Sequence, residues 1–345
     1  MNFIDLRSDT VTVPTEEMRK AMYEAEVGDD VYDEDLTVKK LENMTAEILG
    51  KEAGLFVPSG TFGNQLCLLT HCNRGDEVIL GDDCHIVQHE AGAASIIAGV
   101  QLRTIKSNKG MLSPEEIEEK IRKEEDIHYP KTGLIALENA HSNGRVIPLE
   151  NFMKIRVIAD KYNIPIHLDG ARIFNAAATL NNKPKEIAKF ADSVSFCLSK
   201  GLCAPVGSVV VGSKEFIEKA KKNRKIMGGG LRQAGVLAAA GIVALEKMRF
   251  RLIEDHENAK YLAEKLSKYD FIEIIEKVEI NMVFFKINKK FDNNEFIFFM
   301  KNNGIKINPP EEGIYRFVTH YWVKREDLDK VINVMEKFFK GDNNI

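Results

Sequence analysis

The sequence predicts an α/β protein, with a large domain built on a mostly parallel sheet covered by helices and a small C-terminal α/β domain. Three observations carry this. Between Ala53 and Gly212, short apolar runs alternate with stretches of helical periodicity, the pattern of a parallel sheet built from right-handed crossovers. Several of those runs, Val78-Ile79-Leu80 and Ser208 to Gly212 among them, suit cover on both faces, as strands between two helix layers require. A shorter alternation repeats after residue 250, which divides the chain into a large domain with an N-terminal arm, 1–250, and a small domain, 251–345. With 345 residues and 44% hydrophobic content, the chain can bury both cores.

The elements follow in order. Met1 to Thr12 reads as an extended arm, and Pro14 to Glu17 opens a helix through Met18 and Met22 with Thr12 or Thr15 as its cap. The acidic loop Gly28 to Asp35 places Tyr32 amid five acids, where an aromatic needs an apolar surface to lie on. A helix from about Thr37 carries Leu41, Met44, Ile48 and Leu49 and ends at Gly50. The strand Ala53 to Val57 runs into Pro58-Ser59-Gly60-Thr61-Phe62-Gly63 and a helix start. Free N–H groups, the positive end of the helix dipole and two hydroxyls converge there, which suits a phosphate. His85 lies beyond the strand Val78-Ile79-Leu80, before a helix expected over Ala91, Ala94 and Ile97. Next come the strand Gln101 to Ile105, a helix Ser113 to Lys123 capped by Ser113, and a loop bearing His128. The strand Gly133 to Glu138, a helix Pro148 to Tyr162, and the strand Ile164 to Leu168 lead to Asp169-Gly170-Ala171-Arg172. Past residue 250, helices over Phe250 to Tyr269, Asn294 to Asn302 and Arg325 to Phe339 enclose strands at Met282 to Ile287 and Ile314 to Val318. Phe296, Phe298 and Phe299 read as core.

Lys200 ends the strand that begins at Ser193, and the loop Gly201 to Pro205 turns the chain back into Ser208 to Gly212. Taken alone it better fits a lysine that snorkels to water. Held between two strands and a tight turn it is partly desolvated, which favours the neutral amine and a nucleophile able to form a Schiff base. Ligands of such sheets collect beyond the carboxyl ends of the strands. Ser59 with Thr61, His85, Glu138, Asp169 and Lys200 all fall there. Each has a task if the ligand is pyridoxal phosphate. Gly60-Thr61 take the phosphate, Lys200 the aldehyde, and Asp169 keeps the ring nitrogen protonated. His85 offers a flat ring to lie against the pyridine, and Arg172 a fork for a substrate carboxylate.

A net charge of −4, with 29% charged residues, argues against nucleic-acid binding. The basic run Lys219, Lys221, Lys222, Arg224 and Lys225 reads as a solvated helix face. Five cysteines without a CxxC pair and eight histidines without an HExxH pair predict reduced thiols and no catalytic metal. No basic leader followed by an apolar run is present, and no apolar stretch approaches the ~20 residues of a membrane span. The expectation is a cytoplasmic protein with no membrane partner.

RSDT at Arg7 to Thr10, DDVY at Asp29 to Tyr32, FVPSGTFGNQ at Phe56 to Gln65, HLDGARIFNA at His167 to Ala176 and LSKGLCAPVGSV at Leu198 to Val209 form a specific set. With GGGLRQAG at Gly228 to Gly235 and VTH at Val318 to His320, the chain resembles the low-specificity L-threonine aldolases along nearly its whole length. That resemblance implies the pyridoxal-phosphate fold of the aspartate aminotransferases, fold type I, and cleavage of L-threonine or L-allo-threonine to glycine and acetaldehyde. It implies Lys200 as the Schiff-base lysine, Asp169 as the pyridinium partner, His85 as the stacking ring, and Gly60 and Thr61 as phosphate contacts. Ser8, Arg172 and Arg316 correspond to substrate-carboxylate ligands, with Tyr32 beside the substrate, and His128 to a second active-site histidine. Lys225 and Arg232 correspond to basic residues brought to the phosphate by a neighbouring subunit, so a homo-oligomer with shared sites, a dimer or a tetramer, is implied. The base could be His85 or His128. Where the family's loop after DDVY carries glycine and proline, this chain has Asp33 and Leu36. A β-eliminating lyase sharing Lys200 and Asp169 is the alternative reading.

Overall fold

In the computed structural model, which describes residues 3–124 and 126–341, the chain forms two compact units. One is Pro14–Arg249; the other joins Met1–Val13 to Phe250–Ile345. The N-terminal arm therefore counts with the smaller unit, where β1 (Ile4–Asp5) finds its only strand partner among the described residues, and not with the larger one.

The larger unit opens with α1 (Glu16–Tyr23), capped by Thr15, whose Oγ1 accepts from Met18 N at 3.2 Å. α2 (Leu36–Leu49) is capped by Asp35 and stopped by Gly50 at φ 64°. The alternation then runs as its hydrophobic pattern dictates: β2 (Ala53–Val57), α3 (Gly60–His71), β3 (Glu77–Gly81), α4 (His85–Gln88), β4 (Gln101–Ile105), α5 (Pro114–Lys120), β5 (Thr132–Glu138) and α6 (Leu149–Lys161). After these come β6 (Ile166–Asp169), α7 (Ile173–Leu180), α8 (Pro184–Ala188), β7 (Ser193–Cys197), β8 (Ser208–Gly212), α9 (Lys214–Ile226) and α10 (Gly235–Glu246).

The seven strands order as β2-β8-β7-β6-β5-β3-β4. β8 runs antiparallel to both neighbours and the other adjacent pairs are parallel, so the carboxyl ends of β2, β3, β5, β6 and β7 share one end of the sheet. Every residue of β3, β5, β6, β7 and β8 is buried, as strands covered on both faces require, and the polar members His167 of β6 and Ser193 of β7 are therefore buried with the apolar ones.

Two expectations fail here for backbone and packing reasons. Ala91 and Gly92 both adopt positive φ, 53° and 72°, so the helix expected across them is broken into the short α4 and a five-residue π-helical segment at Ala94–Ala98. Arg224 is no part of a solvated face: it is 6% exposed, giving Nη1–H to Phe56 O (2.8 Å) and Nη2–H to Asp30 Oδ2 (2.7 Å).

In the smaller unit α11 (Leu252–Leu266) precedes β9 (Ile272–Ile274), β10 (Met282–Ile287), α12 (Asn293–Asn302), β11 (Ile305–Lys306), β12 (Tyr315–Val318) and α13 (Arg325–Lys340). β12-β10-β9 form an antiparallel sheet, and β1 pairs in parallel with β11. The core is aromatic: the rings of Phe285 and Phe317 meet edge-on at 4.9 Å, as do those of Phe296 and Tyr315 at 5.7 Å. α12 buries Phe296 and Met300, while Phe298, two residues and about 200° further round, is 65% exposed and not core. No helix among the described residues is long and apolar enough to cross a membrane.

Candidate active site

The carboxyl end of the sheet collects the polar groups. At the end of β2, Ser59 caps α3 by accepting from Phe62 N at 3.2 Å, which leaves the N–H groups of Gly60 and Thr61 without a partner among the described residues. This end of the helix fits an anion, since unpaired N–H groups and the dipole point the same way. A Cβ on Gly60 would stand 2.8 Å from Cys197 Sγ, and one on Gly63 would collide with Ser195 Oγ, so both glycines let α3 lie directly on β7. Ser208 Oγ, buried and without a hydrogen bond, lies 3.8 Å from that Gly60 position and adds an uncommitted hydroxyl beside the cradle.

Lys200 is half-buried on the turn that follows β7. The turn is fixed by Leu198 N donating to Gly207 O (3.0 Å) and Ala204 N donating to Leu198 O (3.1 Å). Asp169, at the end of β6 and 4% exposed, accepts from Ala171 N at Oδ1 (3.0 Å) and from Asn64 Nδ2 at Oδ2 (2.7 Å). Arg172, 8% exposed, stands at the start of α7 three residues on. At the end of β3, His85 opens α4 with its side chain 28% exposed. Glu138, ending β5, accepts His85 N at Oε2 (2.8 Å) and Ser142 N at Oε1 (2.7 Å), anchoring the backbone that carries the imidazole.

Glu90 was missed by the sequence reading. It is 2% exposed, and its Oε1 accepts from His85 Nδ1 and from Asn64 Nδ2, both at 2.8 Å, while Oε2 accepts from Gln65 Nε2 at 2.5 Å. Ligand atoms of His85, Glu90 and Asp169 all lie within 4.8 Å of one another. The hydrogen bond that His85 gives to Glu90 pushes the His85 pKa up against the pull of burial, with Asp169 helping and the Lys200 charge opposing. Below Asn64 the polar contacts continue through His167, Ser193 and His71. Burial holds His167 down at about 4 and His71 at about 3, so both are neutral at pH 7.

Other expected residues lie elsewhere. His128 is exposed on the loop that leads into β5, and Arg122 N donating to Thr132 Oγ1 (3.0 Å) ties that loop to the amino end of the strand. Seven residues of strand, roughly 20 Å, separate this end from Glu138, so His128 does not join His85 within one chain. Tyr32 is 73% exposed on a single turn and does not find the apolar surface expected for it. Lys225 is exposed, and Arg232 is held by Asp29 of its own chain at 3.0 Å. Ser8 and Arg316 belong to the smaller unit: Ser8 Oγ accepts from Thr10 N at 3.2 Å, and Arg316 sits half-buried on β12 opposite Phe284.

A lysine, a carboxylate, an imidazole and a helix start with unpaired N–H groups lie beyond the carboxyl ends of β7, β6, β3 and β2, where sheets covered on both faces place their ligands, and form the candidate site. The sequence model of the beta-eliminating lyases matches residues 5–290. The chain is 45% identical over 350 residues to low-specificity L-threonine aldolase 1 of Arabidopsis thaliana, covering 98% of this chain and 96% of that one. It is 43% identical over 329 residues to the low specificity L-threonine aldolase of Escherichia coli K12, covering 95% and 97%. The Leishmania major threonine aldolase structure shares the fold at TM-score 0.83, 18% identity and 97% and 99% coverage. SPT with PLP does so at TM-score 0.76, 15% identity and 99% and 89% coverage. The chain belongs to the beta-eliminating lyase family, among the low-specificity L-threonine aldolases.

Proposed function

We propose that the protein cleaves the Cα–Cβ bond of L-threonine or L-allo-threonine to give glycine and acetaldehyde, using pyridoxal phosphate. The observation that carries this is the gathering of Lys200, Asp169 and His85 beside an unpaired helix start at Gly60-Thr61. When bound, pyridoxal phosphate supplies the electron sink that the broken Cα–Cβ bond requires. Gly60 and Thr61 N–H groups hold its phosphate, Lys200 its aldehyde carbon, and Asp169 the proton on its ring nitrogen. Arg172 supplies two parallel donors for a carboxylate. The reaction needs a base for the β-hydroxyl proton, and His85 Nε2, the ring nitrogen not engaged by Glu90, is the acceptor at these strand ends. The proton count closes when Cα of the product takes one proton back.

We further propose that the protein works as a homo-oligomer, with Lys225 and Arg232 serving a neighbouring copy's phosphate. Arg232, held by one exposed ion pair, gives up little to leave Asp29.

Incubation of the purified holoprotein with L-threonine, measuring glycine and acetaldehyde against ammonia and a 2-keto acid, tests the reading. Equal glycine and acetaldehyde are expected. Ammonia with keto acid in their place would assign the β-eliminating alternative.

A further inference from the structure

Glu90 decides which nitrogen of His85 carries hydrogen. An ionised carboxylate only accepts, and both Glu90 oxygens face N–H donors, from His85, Asn64 and Gln65. His85 must then place its hydrogen on Nδ1, and the neutral ring keeps its lone pair on Nε2. The same logic runs inward. Asn64 Nδ2 spends one hydrogen on Glu90 and one on Asp169 Oδ2, so its Oδ1 must accept from His167 Nε2 at 3.1 Å. His167 Nδ1 then accepts from Ser193 Oγ (2.9 Å), whose oxygen accepts from His71 Nε2 (2.8 Å). Every hydrogen in the chain points toward the two carboxylates, and no member can reverse without leaving two donors or two acceptors face to face.

We propose that Glu90 is a positioning residue of the cleavage reaction: acting through His85, it fixes the Nδ1–H tautomer and so leaves Nε2 to take the substrate's hydroxyl proton. This rests on the reading of His85 as the base. An unconstrained imidazole favours hydrogen on Nε2, the form that cannot accept there, so the carboxylate reverses an intrinsic preference. The groups facing His85 are Glu90 and Asp169, which favour its charged form, Lys200, which opposes it, the Glu138 carboxylate on its backbone N–H, and the His89 ring at 5.5 Å.

The test begins on protein without cofactor. In 15N-histidine-labelled protein, with the His85 signals assigned by their loss in His85→Ala, wild-type His85 should show hydrogen on Nδ1 and a bare Nε2, and Glu90→Leu should move it toward the Nε2–H form. In the holoenzyme Glu90→Leu should lower kcat/KM by about 10- to 100-fold, the cost of losing a partner that orients a metal-bound histidine taken as the scale. In a His85→Ala background the same change should cost several-fold less, the remainder coming from Asn64 and Gln65, the other groups that Glu90 holds. Should Glu90→Leu not fold, Glu90→Gln carries the test: the His85 pKa and the acid limb of kcat/KM should both move to lower pH. A wild-type His85 in the Nε2–H form, an equal loss in both backgrounds, or an unmoved acid limb would overturn the proposal. The tautomer stands or falls without substrate, so failure to make glycine would count against the proposed reaction and not against this geometry.

Discussion

The two units fill the space between helix and sheet in opposite ways. Beneath α3 the larger unit buries Asn64, Gln65, His167 and Ser193, each at 3% exposure or less and joined in hydrogen bonds. Beneath α12 the smaller unit buries Phe285, Phe296, Phe317 and Tyr315. Aromatic packing gains from nearly every contact, whereas polar groups taken from water gain only if each is satisfied. The polar interior is therefore the poorer way to make a stable domain. It lies where its last members, Asp169 and Glu90, reach the candidate site.

The contrast is open to breaking. The largest expected effect is at the chemical end of the polar interior. Lys200→Ala should lower turnover by roughly a thousandfold or more with its melting temperature kept within a few degrees, and Asp169→Asn by at least roughly a hundredfold in a protein that still folds but is less stable, since its amide sets a donor against Ala171 N–H or Asn64 Nδ2. Asp169→Asn replaces an acceptor-only carboxylate with an amide that cannot hold a pyridinium proton. Near-normal turnover in either variant would detach the residue from the reaction.

Next in size is the aromatic interior. Phe296→Ala should cost about 3–5 kcal/mol of stability, read from denaturant unfolding, because Phe296 is fully buried. The folded fraction should retain its kcat within about twofold. A large loss of turnover at unchanged stability would show that the aromatic core shapes the chemistry directly.

The smallest expected effect is the pH response of the polar chain. His167 titrates at about 4 in the folded protein and near 6.5 when unfolded, so between those values the unfolded chain binds the extra proton. Its contribution to stability is complete above pH 6.5 and is lost as pH falls toward 4, by an amount on the order of 3 kcal/mol. His71, held at about 3, adds a loss of the same sign, as does His256 of the smaller unit at about 4. His167→Gln should flatten the fall of melting temperature between pH 6.5 and 4. An unchanged slope would mean that His167 is not kept neutral by the fold.

Residues at strand ends were legible because a buried strand announces its own limits: the apolar run stops and the next polar side chain stands at the carboxyl end of the sheet. Asp169, Lys200 and His85 were reached in that way. Glu90 was not, because it follows α4 in a stretch whose positive φ at Ala91 and Gly92 interrupts any readable period. Asn64 and Gln65 did leave a trace: two amides sit within the buried stretch of α3, next to Leu66, where an apolar side chain would be expected. His128 entered by resemblance alone, and it differs from the other candidates because it precedes β5 while they follow their strands. Phe298 fails for a simpler reason, since three phenylalanines within four helical positions cannot share one face.

The seating of α3 on β7 has a consequence for how this enzyme can change. With Gly60 and Gly63 pressed against Cys197 and Ser195, the anion cradle and the strand that delivers Lys200 form one block with no slack. In a saturating mutational library, positions 60 and 63 should each accept a single letter, and their neighbours on β7 only residues as small as those present. New substrate preferences must then arise from segments that can drift without moving this block, such as the exposed turn bearing Tyr32. The block that constrains the chemistry frees the rest of the chain to vary around it.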